Sequence, residues 1–175
     1  MKFRTLTADD IEVRVQSAKE NGIVLLLYKN ARVDMNILDE TVGAENWQRE
    51  HYECKGNLFC RVGIKCDGEW IWKSDCGIES NQDAQKGEAS DSFKRACFNW
   101  GIGRTELYSS PFIWIPADQC NIKPGTVNGK TIYKCYDKFS IEKIVFGEDK
   151  RPTGIAIIND TTKKRCFVWK KENKQ

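Results

Sequence analysis

The 175-residue chain is 40% hydrophobic and 30% charged, a globular mix with enough aromatic side chains to fill a core, which excludes disorder over most of its length. Its net charge of +3 is uneven: residues 119–175 hold 13 basic and 6 acidic residues, whereas the remainder holds 15 and 19. A basic C-terminal third is expected of a polyanion binder, and equally of a solvated β surface whose edges are guarded by lysines.

No apolar run approaches the ~20 residues that a membrane span needs; the longest is Ile23 to Tyr28. The opening stretch MKFRTLTADDIEVRV lacks the apolar core of a signal peptide, so a soluble, cytoplasmic protein is expected. The eight cysteines show no C-x-x-C spacing and only one histidine, His51, accompanies them. This predicts reduced, mostly buried thiols and no structural metal.

Thr7 is placed to cap a helix from Ala8, with Ile11, Val15 and Ala18 on one face and Asn21-Gly22 as its end. The apolar run Ile23–Tyr28 reads either as a buried strand or as more helix. A short helix follows, with Met35, Leu38 and Val42 on one stripe and Gly43 as its stop.

Strands are expected over 47–55, 58–66 and 69–78. In the second, Leu58, Cys60, Val62, Ile64 and Cys66 alternate with Phe59, Arg61, Gly63 and Lys65. Asp67-Gly68 is a hairpin signal. A two-residue turn there sets Lys65 opposite Trp70 and Arg61 opposite Ser74. The resulting face mixes Phe59, Arg61, Lys65, Trp70 and Trp72. Such a face suits single-stranded nucleic acid, and it also suits a core covered by Arg and Lys stems.

Residues 79–83 read as a polar loop. A helix over Ala84–Trp100 then carries Ala89, Phe93, Ala96, Cys97 and Trp100 on one stripe, with Gly101 as its stop. Beyond Leu107-Tyr108 lies an apolar segment bracketed by Pro111 and Pro116, then a loop over 118–130. Four strands close the chain, at about 131–136, 139–146, 154–158 and 165–170.

Several chemistries have no motif. There is no phosphate-binding G-x-x-x-x-G-K-[ST], no complete dinucleotide fingerprint around Gly101-Ile102-Gly103 and no G-x-S-x-G. A magnesium-dependent nuclease would have to draw on Asp67, Glu69, Lys73 and Asp75. His51 as a general base has no evident partner.

The order of helix, apolar run, short helix, three-stranded meander and Lys-Arg helix resembles the Rad fifty-two family. The likeness is to its small phage and prophage members, the Sak-type annealing proteins. It rests on Leu38-Asp39-Glu40-Thr41-Val42-Gly43 with Trp47, on Asp67-Gly68 with Asp75-Cys76-Gly77, and on Ala89 to Ala96 ending near Trp100-Gly101. It covers residues 22–115.

The resemblance implies an α+β fold with a β-β-β-α core: an antiparallel meander packed on a long helix. It divides the chain into an annealing core over 1–117 and a β-rich extension over 118–175 packed on it. It implies a homo-oligomeric ring or arc that anneals single-stranded DNA in recombination and double-strand break repair, without ATP, metal or other cofactor. A single-stranded-DNA-binding protein is a candidate partner. Lys94 and Arg95 match the family's groove-lining pair, and Tyr28 matches a tyrosine near the groove. Lys55, Arg61, Lys65, Lys73 and Lys86 join them from charge and location. A third basic residue expected one turn after Arg95 is Phe98 here, so Arg104 is a substitute cation. A protein that coats or protects DNA without annealing it shares every one of these motifs.

Overall fold

A computed structural model describes residues 1–78 and 84–172. The fold is α+β, with 11 antiparallel strands and three helices among the described residues. No helix among them is long and apolar enough to cross a membrane. The chain forms two compact units.

The first unit comprises Met1–Thr5 and Lys29–Arg104. Asn30 opens helix α1 (Ala31–Val42) by accepting the backbone N–H groups of Arg32 and Val33 on its side chain. Gly43 ends it at φ +86°, a conformation that glycine adopts without strain. Strands β3 (Trp47–Cys54), β4 (Asn57–Cys66) and β5 (Glu69–Cys76) make the expected meander. Its turns, Lys55-Gly56 and Asp67-Gly68, have positive φ at both central residues, as a tight hairpin requires.

Helix α2 (Ala84–Asn99) covers one face of this sheet. Phe93, Ala96 and Cys97 are fully buried against Cys60, Val62 and Ile64, the inward half of the β4 alternation. The helix comes close to the strand because Gly77 has no side chain: a Cβ there would stand 2.2 Å from the Glu88 carbonyl oxygen. The polar loop expected at 79–83 lies outside the described residues.

The second unit comprises Leu6–Tyr28 and the described chain from Thr105 onward. Here the expected N-terminal helix is absent. A single 3-10 turn at Ala8–Asp10 leads into strand β1 (Glu12–Lys19), which pairs with β2 (Gly22–Tyr28). Only the Ile23–Tyr28 strand reading survives. Helix α3 (Arg104–Tyr108) precedes β6 (Ile113–Pro116), which pairs with β2.

The loop expected over 118–130 is instead half of a hairpin. Strand β7 (Ile122–Val127) turns at Asn128-Gly129 into β8 (Lys130–Cys135). Strands β9 (Phe139–Phe146), β10 (Pro152–Asn159) and β11 (Lys164–Lys170) complete a six-stranded sheet of order β11-β10-β9-β1-β2-β6. Its edge strands β11 and β6 touch, so the sheet curls around Ile23, Leu25, Ile115, Ile155 and Ile157.

The division therefore differs from the expected 1–117 and 118–175. Val13 pairs with Phe139, which ties the first hairpin to the C-terminal strands. Strands β9, β10 and β11 form one sheet with β1, β2 and β6, and β7 and β8 form a separate two-stranded sheet.

Candidate nucleic-acid interface

The meander face turned away from α2 collects the aromatic and basic residues of the central hairpin. The register is the expected one: Lys65 pairs with Trp70, Gly63 with Trp72 and Arg61 with Ser74. Trp72 lies across Gly63, whose absent Cβ would stand 2.9 Å from the indole. Trp70 is tilted 33° to Trp72 at 6.3 Å between centroids and is 38% exposed. The Arg61 guanidinium sits 4.6 Å from the Trp72 ring centroid. Glu50, on the neighbouring strand, accepts from Arg61 Nε at 2.8 Å and Nη2 at 2.5 Å. Tyr52 stacks on Phe59 at 5.6 Å further along the same face.

The other basic residues of the meander and α2 are on the helix side. Lys73 donates to the Asn99 carbonyl at 2.9 Å and lies 4.5 Å from the Trp100 ring centroid. Arg95 Nε is 3.5 Å from Asp75 Oδ1, and Lys94 Nζ is 4.0 Å from Asp91 Oδ1. The sheet thus stands between two groups of cations, Arg61 with Lys65 and Lys73 with Lys94 and Arg95. Lys55 is at the exposed β3–β4 turn and Lys86 is exposed on the first turns of α2. Arg104 is exposed at the start of α3.

Tyr28 belongs to the second unit, at the end of β2 opposite Glu12. Burial, with a hydrogen bond to Glu12, pushes its phenol up to about 12. The Arg14 guanidinium lies 5.2 Å from its ring centroid. His51 faces α2 and its Nε2 is 3.0 Å from the Ala89 carbonyl oxygen. All eight cysteines are free thiols; Cys60, Cys97, Cys120 and Cys166 are buried. Among the described residues no three His, Cys, Asp or Glu side chains are grouped to hold a metal ion. Asp75 is engaged by Arg95 and by the Asn99 amide at 3.4 Å.

Sequence reasoning missed a buried ion pair beneath the Lys94 helix. Lys29 and Asp34 are completely enclosed, and the ammonium contacts both carboxylate oxygens. It also lies 4.3 Å from the ring centroid of Phe98, the position at which the resemblance led to the expectation of a third cation. Burial raises the Asp34 carboxyl to about 6, although Lys29 and, less strongly, Lys94 pull it down. Tyr52 and Glu50 were missed too; their strand alternation was the available signal. No family model matches the chain, and no curated protein and no solved structure matches it.

Proposed function

We propose that this protein binds single-stranded DNA on the outer face of the meander and anneals complementary strands in recombination and break repair. The observation that carries the reading is the pair of tilted indoles, Trp70 and Trp72, bordered by Lys65 and Arg61. Every base has a π face, so aromatic stacking holds a strand with little regard to sequence, at about 1–3 kcal/mol per base. Cations beside the rings hold the phosphates. The Arg61–Glu50 pair is exposed, and such pairs contribute little, about 0–1 kcal/mol, so a phosphate displaces the carboxylate at small cost.

Annealing breaks no covalent bond. Neutralised phosphates lower the repulsion between two strands, and base pairing then supplies ~1.4 kcal/mol per step. Neither ATP nor a metal ion enters this scheme. Assembly into a ring or arc is supported by the sheet itself, since β3 and β5 are both edge strands among the described residues. Joining such edges repeats the platform and multiplies weak contacts into avidity.

The test is pairing of complementary fluorescent strands in the absence of nucleotide and metal. Faster pairing with the protein, lost in Trp70→Ala, is expected. Binding without faster pairing would make the protein a strand-coating factor, and absence of binding would end the reading altogether.

A further inference from the structure

The six-stranded sheet carries a groove that DNA binding on the meander does not use. Across β9, β10 and β11 the register sets two rows of side chains on one face: Lys143, Ala156 and Val168 in one, and Val145, Gly154 and Lys170 in the other. The middle strand contributes only Gly154 and Ala156, so its line is a trough between taller neighbours. A Cβ added at Gly154 would meet nothing nearer than the Trp169 carbonyl oxygen at 3.8 Å and Val145 Cβ at 4.0 Å, so the floor is open. The groove has a volume of about 350 Å³.

Its chemistry is mixed in a specific way. Val145 and Val168 are 44% and 67% exposed on opposite corners. Lys143 and Lys170 take the other two corners, and Lys171 joins the rim. No carboxylate lines the groove, and none of the three ammonium groups forms an ion pair with a described residue. The strand spacing and rise put the two corner lysines ~12 Å apart at the backbone, about the span of a few extended residues.

We infer that this groove docks an acidic peptide segment of a partner protein. One aliphatic side chain of the peptide rests on Gly154 and Ala156, between Val145 and Val168, and carboxylates on either side of it meet Lys143 and Lys170. Charge complementarity selects an anion, and the floor selects a peptide over a nucleic acid. Trp169 borders the groove with its carbonyl oxygen, while its register with the buried Ile155 sets its ring on the opposite face of the sheet, so bases would find cations there but no ring to stack on. The groove is open along the sheet, as an extended peptide needs.

The experiment is fluorescence anisotropy of the full chain with a labelled Asp-Asp-Leu-Asp-Asp peptide. Saturable binding is expected, weaker by about tenfold for Asp-Asp-Ser-Asp-Asp. Lys143→Glu combined with Lys170→Glu should abolish it while oligothymidine binding persists. Val168→Glu, a separate exposed change, should also abolish it, with folding checked by circular dichroism. Failure of the peptide to bind the wild-type chain would overturn the proposal. So would unchanged peptide binding in the folded variants, or oligothymidine as the probe lost from them.

Discussion

The Trp72 indole occupies the space that a side chain on Gly63 would take, its ring carbons within 2.9 Å of the missing Cβ. The two residues are cross-strand partners, so the glycine is what lets the ring settle on the sheet. Gly63→Ala should lift the indole, tilt it away from Trp70 and disturb the Arg61 contact. Overpacking of this kind costs about 1–3 kcal/mol. The expected outcome is a lower melting temperature together with weaker oligothymidine binding; unchanged values of both would show that the ring packing is slack.

Trp70 separates binding from folding better than Trp72 does, because it is the more exposed of the two rings and covers no glycine. Trp70→Ala should leave thermal unfolding within about 0.5 kcal/mol of the wild type. It should weaken oligothymidine binding by about tenfold, the loss of one stacked base. Intrinsic tryptophan quenching by DNA should fall in the same variant.

The buried pair under α2 carries a pH signature. The folded Asp34 carboxyl titrates near 6, above its usual value of 3.8, because burial disfavours the charge more than Lys29 restores it. The unfolded chain therefore ionises this group first as pH rises. The contribution of Asp34 to stability is greatest below about pH 4, is lost between about 4 and 6, and then stays constant, a fall of about 3 kcal/mol. Lys29→Met combined with Asp34→Leu removes both charges. Its stability relative to the wild type should rise across that window and stay level above it. Asp34→Asn alone has no carboxyl to titrate and should lose the fall across that window. Urea unfolding from pH 4 to 8 measures all three.

How far the sequence carried the fold depended on where its periodicity was intact. Asp67-Gly68 declared a two-residue turn, and that turn alone determined which residues oppose which across β4 and β5. The first segment misled because β1 has an irregularity between Val15 and Ser17. The extra residue shifts the alternation, so Val15 and Ala18 fall at a helix-like interval beside Ile11. The β7 strand hid behind Pro124 and Gly125, which read as loop residues. The candidate site was legible in its parts but not in its sidedness. Charge alone did not reveal that Lys73 and Arg95 share the helix side while Arg61 and Lys65 face away from it.

That sidedness leads to the most discriminating measurement. Each phosphate contact on a single strand contributes about 0.7 to the slope of log affinity against log salt. Arg61→Ala with Lys65→Ala removes two cations from the indole platform and should flatten the slope by about 1.4. Lys94→Ala with Arg95→Ala removes two cations that lie beside Asp91 and Asp75, where phosphate must compete with a carboxylate already in place. That double variant should stay folded and flatten the slope by less. The opposite ranking would move the DNA from the outer face of the meander to the α2 side, and the two indoles would then be packing rather than contact surface.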